Sequence, residues 1–226
     1  MKKLTAVILL ALIAAGFSIA LAEIPFGQDK IDVGNYYIDS GIKDTGATNI
    51  VTSIVVNYRS LDTLGEITIL FVAALGVGAL LFREKSKPRK KHQAPSLIVA
   101  TGSKILFPLT ILFGIYIFLH GHLTPGGGFQ GGAVIASGFL LLYLSRPEYT
   151  IDRKKLNVAE SLGGLTFIVF GLLGLAFGGH FLQDFLPKGH PNALLSAGVI
   201  PLLYLAIGVK VGSELARIIG DLMEAD

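Results

Sequence analysis

Long apolar stretches with few charges recur along the whole chain: Leu4–Leu21, Ile67–Phe82, Leu97–Leu119, Phe129–Ser145, Ser161–Gly179 and Ala193–Ile219. About 20 apolar residues in a helix cross the hydrocarbon core of a bilayer. Lipid offers the backbone no hydrogen bonds, so a spanning segment has to satisfy its amides internally. Of the 226 residues 52% are hydrophobic and only 15% are charged, where a soluble domain carries roughly 25% charged residues. The expectation is an all-α integral membrane protein with about six transmembrane helices. The chain has no cysteine, which excludes disulfides, iron–sulfur ligation and thiol catalysis on it. No P-loop, GxSxG, HExxH or dinucleotide fingerprint occurs, so nothing points to a soluble enzyme or a bound cofactor.

The basic residues are clustered. With Met1 inside, all of the 19 Lys and Arg except Lys30, Lys43, Arg59 and Lys188 fall on inner segments. That asymmetry predicts both termini on the cytoplasmic side and an even number of spans. It also explains the net charge of +3 by orientation, without nucleic acid. Ala20-Leu21-Ala22 resembles a signal-peptidase site, so a cleaved leader is the alternative to a retained first span. Arg83–Lys91, followed by Pro95, is a basic, proline-broken linker, and the domain boundary is placed there: 1–92 with two spans, 93–226 with four.

Between the spans, Glu23–Thr48 is polar and acidic with Gly34, Gly41 and Gly46, which predicts an outer loop. In Asn49–Ser60, the residues Ile50, Val51, Ile54, Val55 and Tyr58 recur at helical spacing. An amphipathic interfacial helix is expected there, with a buried strand as the alternative.

His120–Gly132, His-Gly-His-Leu-Thr-Pro-Gly-Gly-Gly-Phe-Gln-Gly-Gly, lies between two apolar runs. Pro125 lacks an amide donor, and the glycines after it carry a large entropic cost in a helix. Opened backbone near membrane depth has to face protein or a water-filled cavity. His120, His122, Thr124, Pro125, Gly126, Gly127, Gly128 and Gln130 are therefore candidates for a broken-helix segment lining a cation path. A glycine-rich extramembrane turn is the alternative. The His120/His122 spacing is weak support for a metal site, which needs further ligands; only transient Na⁺ is expected.

Glu66 falls inside the second span or at its edge, with Asp62 one helical turn before it. A carboxylate within a bilayer is costly and marks ion or proton paths; at a helix start it also complements the dipole. Lys210 and Glu214 share a helical face in the last span, where they either neutralise each other or extend a polar path. Lys104 and Lys210 are alternatively snorkelling anchors.

The His120–Gly132 segment resembles the signature of the MnhB/MrpB family, with a pattern that extends over Leu97–Ile219. Asn49–Thr68, which contains Asp62-Thr-Leu-Gly-Glu66, resembles the end of the large MrpA antiporter subunit, and an MbhE-like component of archaeal hydrogenase-type complexes. The family more often has an aromatic where this chain has Leu61. The resemblance implies an MbhE-like part fused to an MrpB-like part. Such a chain would be a non-catalytic subunit of a Na⁺/H⁺-translocating complex, with other Mrp/Mbh-type membrane subunits and the lipid bilayer as partners. Ion movement would be coupled to antiport or to ferredoxin-driven redox chemistry. It also places the family's membrane glutamate on Glu66. A purely structural scaffold and a stand-alone cation carrier are the alternatives.

Overall fold

The computed structural model describes residues 2–23, 32–82, 95–146 and 149–225. They are helical apart from turns and one long loop. The first compact unit runs through Asn35 and consists mainly of α1 (Lys2–Glu23), whose described side chains are exposed.

The second unit, Tyr36–Asp226, holds the remaining elements. These are α2 (Asp32–Thr45), which begins in the first unit, and α3 (Ile50–Thr52), continued by a π-helix at Ser53–Tyr58. Then follow α4 (Ser60–Phe82), α5 (Leu97–Leu119), α6 (Gly128–Ser145), α7 (Arg153–Gly178) and α8 (Ile200–Ala225). The packing is centred on α8, which α4, α5, α6 and α7 all touch. Its Ile200, Leu203, Tyr204, Ile207 and Val211 form the core with Val56, Ile67 and Phe167. This unit runs across the expected boundary at residue 92. The linker around that boundary lies, through residue 94, outside the described residues.

Local chemistry sets the helix ends. Ser96 caps α5 by accepting from the Val99 amide, and Asp152 caps α7 by accepting from Lys154 and Lys155. Each satisfies amides that the first turn leaves without a helical partner. Gly179, at φ 96°, ends α7 in the left-handed conformation.

Among the described residues, five helices are long and apolar enough to cross a membrane: Lys3–Ala22, Ser60–Leu81, Leu97–Leu119, Gly128–Ser145 and Arg153–Gly178. α8 has 26 residues but carries Lys210, Glu214 and Arg217 within its apolar length.

Three expectations change. The segment expected as an outer loop over Glu23–Thr48 contains helix α2. Gly34 and Gly41 do not prevent it, because docking outweighs propensity: Gly41 packs on Ser53, and Thr45 shares a 2.8 Å hydrogen bond with Ser53. Asn49–Ser60 is helical and not a strand, but its ladder widens into a π-helix. Its buried side is Thr52, Ser53 and Val56, while Val51 is 64% exposed, so the apolar stripe does not select the packed face. The last helix starts at Ile200 and not at Ala193. Ala197 and Gly198 take left-handed φ of 64° and 55°, and Pro201 then suits a first helical turn.

Candidate functional site

The glycine-rich segment is a turn between α5 and α6, and its glycines serve close packing. A Cβ on Gly121 would lie 2.7 Å from the Tyr204 ring, and one on Gly128 would lie 2.5 Å from Ile207 Cβ. Gly127 adopts φ 152°, a conformation that glycine reaches without strain. These glycines lie against α8, so the expected opening of a helix is replaced by a tight helix–turn–helix.

The start of α3 locks this turn from outside. The Asn49 amide donates to the His122 carbonyl at 3.1 Å. Asn49 Nδ2 donates to the carbonyls of Gly121 at 2.8 Å and Thr124 at 3.0 Å. Thr52 Oγ1 donates to the Gly121 carbonyl at 2.6 Å, and it lies 2.8 Å from Tyr204 Oη.

His120 and His122 have separate surroundings. His120 stacks on Tyr116 with ring centroids 4.3 Å apart. His122 is fully buried, close to the backbone of Ala193 and Leu194, but neither ring nitrogen reaches hydrogen-bond geometry. Burial lowers its pKa, as desolvation disfavours the imidazolium. His180 and His190, on the same side in sequence, are exposed. Among the described residues no group of three His, Cys, Asp or Glu stands close enough to hold a metal ion. Thr124, Pro125 and Gln130 are exposed. In the following loop, Asp184 Oδ1 accepts from the amides of Val199 at 3.1 Å and Leu186 at 3.2 Å. Burial raises its pKa, against the opposing pull of those bonds.

The densest buried charge lies between α7 and α8. Lys210 Nζ donates to Glu214 Oε2 at 2.7 Å, with side chains only 8% and 0% exposed. Gly163 permits this: a Cβ there would meet the Ala206 carbonyl oxygen at 2.7 Å and Lys210 Cβ at 3.0 Å, so α7 has to be bare at that point. Lys210 Nζ also lies 5.5 Å from the centre of the Phe71 ring on α4. One turn further along α8, Arg217 faces Glu160 of α7 at 3.3 Å. At the end of α8, Asp221 meets Arg153 at 2.5 Å. Glu160, Arg217, Arg153 and Asp221 were not legible as site residues. The partners of each pair are far apart in the sequence, and only the α7–α8 contact brings them together.

Glu66 lies elsewhere. α4 buries Thr63, Ile67 and Ala74, and Glu66 stands about 100° around the helix from Ile67, where it is exposed. Among the described residues of its unit, none encloses it. Asp62, also exposed, pairs with Arg59 at 2.5 Å. Lys104 is exposed on α5. The expected residues thus fall in four places: the glycine turn, the α7–α8 charges, the open side of α4 and, for Lys104 alone, an exposed face of α5.

Residues 98–216 match the model of a domain related to the MnhB subunit of Na⁺/H⁺ antiporters, and residues 2–96 match that of MbhE, one of the subunits of MBH. An uncharacterised protein of Methanocaldococcus jannaschii is 31% identical over an alignment of 222 positions that covers 86% of this chain and 81% of that one. A chain of the archaeal membrane-bound sulfane sulfur reductase, a respiratory membrane complex, superposes with a TM-score of 0.80 at 46% identity, covering 98% of both chains. In the Mrp complex from Dietzia sp. DQ12-45-1b, a longer chain matches with a TM-score of 0.74 at 26% identity, covering 98% of this chain and 26% of that one. The apolar helices and these relatives together make this a multi-pass protein of the cell membrane whose partners are other membrane subunits. The chain belongs to the family of membrane-complex subunits related to MnhB of Na⁺/H⁺ antiporters.

Proposed function

We propose that the chain is a non-catalytic membrane subunit of a Na⁺/H⁺-translocating complex of the sulfane sulfur reductase type, in which ion movement is coupled to ferredoxin-driven redox chemistry. The supporting observation is the match over 98% of both chains at 46% identity. In this proposal α8 is a sixth span, both ends face the cytoplasm, and the 1–92 and 93–226 parts are two fused subunit-like domains.

Two sites share the ion chemistry. The Lys210–Glu214 pair, shielded from water by α4 and α7, is a protonatable element inside the chain. Glu66, open on α4, is completed by a neighbouring subunit and exchanges Na⁺ there. An intramembrane carboxylate left facing lipid alone would cost a few kcal/mol, so a polar partner surface is expected opposite it. The test is complementation of a strain lacking this chain, followed by Na⁺-dependent proton movement in membrane vesicles. The wild-type chain restores it. Glu66→Gln and the double variant Lys210→Met with Glu214→Leu assemble without restoring it. Full restoration by both would contradict the proposal.

A scaffold role is the second reading, favoured by the glycine turn, whose close contacts brace α5, α6 and α8. It predicts unchanged transport in those same variants.

A further inference from the structure

We propose that Glu160 and Arg217 form the inner end of a proton route along α7 and α8, and that Arg217 keeps Na⁺ out of it. The proposal rests on the ion-translocating role above and names the ion and the exit for its internal site.

Lys210, Glu214, Arg217 and Asp221 recur at steps of three and four residues, so they line one stripe of α8. The stripe is about 16 Å long at 1.5 Å per residue. α7 places Glu160 opposite Arg217 and Arg153 opposite Asp221. Each acid thus has a base, which lets the row stay charged while buried. α6 contributes Tyr143 near Gly220, and α4 contributes the Phe71 ring.

The row is not saturated. Glu214 Oε1 and Arg217 Nε are buried without a hydrogen-bond partner among the described residues, and Arg217 Nη2 has only its 3.3 Å ion-pair contact with Glu160. Each such atom costs about 1–3 kcal/mol unless something bridges it, and water is the usual bridge between buried polar groups. A cleft lined by Tyr143, Ile151, Arg153, Leu156, Arg217 and Gly220 has room for about one water, ≈ 10 Å³. Arg217, the ion-pair partner of Glu160, is one of its lining residues, together with Arg153 and Leu156 from the first turn of α7.

A proton passes from the Lys210 ammonium to the Glu214 carboxylate, breaking an N–H bond and making an O–H bond. It moves through a bridging water to the Glu160 carboxylate, and leaves to water in the cleft. Lys210 regains a proton from the opposite side. One proton crosses per cycle, and no other bond changes. The guanidinium of an arginine such as Arg217 is a permanent charge and not a proton carrier. Arg217 is therefore a positioning residue for the two carboxylates, and its fixed charge at a one-water neck repels a metal cation.

The test uses the assembled complex in proteoliposomes, with co-purification as the measure of assembly. Glu160→Gln is expected to lower proton movement by roughly tenfold or more, while Glu160→Asp restores it with a displaced pH profile. Arg217→Gln is expected to admit a Na⁺ leak. Exchanging the pair, Glu160→Arg with Arg217→Glu, keeps the ion pair but moves the acid, so assembly persists and proton movement stays low. Wild-type flux in Glu160→Gln, or full recovery in the exchanged pair, would overturn the proposal and leave only a structural bridge. If Glu160→Gln does not assemble, an unchanged pH profile in Glu160→Asp overturns it. A wild-type complex that moves no protons would instead sink the ion-translocating role itself, a distinguishable result.

Discussion

α4 and α6 are both apolar helices of membrane length, yet 44% of the α6 span is buried within the chain and only 11% of the α4 span. α6 begins in glycines that let α8 reach its backbone, and leaves only Leu140 and Leu144 among its large apolar side chains exposed. α4 gives one narrow face to α8 and leaves Leu61, Ile69, Val72 and Leu80 more than half exposed, with Glu66 on the open side. Hydrophobicity alone does not separate the two cases. The difference lies in where the small residues sit: Gly128, Gly131 and Gly132 of α6 meet α5 or α8, whereas Gly65, Gly76 and Gly78 of α4 touch nothing among the described residues, and an acid on that open surface marks the helix finished by something else.

The largest effect that can break this contrast comes from filling a glycine. Gly128→Leu would drive a side chain into Ile207 and the Tyr204 carbonyl, which costs about 3 kcal/mol or more. The same change at Gly76 of α4, where nothing lies within 4 Å, is expected to leave the protein folded. Yield and thermal midpoint in detergent compare the two; equal losses would erase the distinction. Next comes charge. Glu214→Ala leaves the buried Lys210 unpaired and is expected to cost about 3–5 kcal/mol. Removing both charges, with Lys210→Met and Glu214→Leu, recovers most of that stability. Lys104→Met, on an exposed face, should stay within about 0.5 kcal/mol.

A smaller effect follows from pH. Burial lowers the His122 pKa from 6.5. Its contribution to stability is therefore fully present above that value and is lost as the pH falls through the lowered folded value. Hydrogen-exchange protection factors at residues 120–124 and 193–199, with the intrinsic base-catalysed rate divided out, are expected to fall on acidification, and to lose that pH dependence in His122→Phe if the fold is kept. Protection that rises at low pH would contradict the buried neutral imidazole.

Much of this was legible in the sequence. The apolar run from Leu97 announces α5, and Pro125 with its glycines announces a break after it, whereas α7 begins at Arg153, eight residues before the apolar run from Ser161. The contacts of that turn were not legible, because Tyr204 is one aromatic in an apolar run and gives no sign that Gly121 and Gly127 pack against its ring. α2 was hidden by glycines that read as breakers, although one of them is a docking point. Lys210 and Glu214 could be paired by their spacing along one helix. Glu160–Arg217 and Arg153–Asp221 could not, since they exist only where α7 meets α8. For Glu66 the sequence supplied the residue and its helix, while the direction in which it faces required the packing of Ile67 and Ala74.

The measurement that bears most directly on the account is ²²Na⁺ transport by the purified whole complex carrying Glu66→Gln, a substitution expected to change stability by less than about 0.5 kcal/mol because the site is exposed. Sodium transport lost in a fully assembled complex is the predicted result. Sodium transport at the wild-type rate would contradict it, and would leave the open side of α4 as a surface for packing alone.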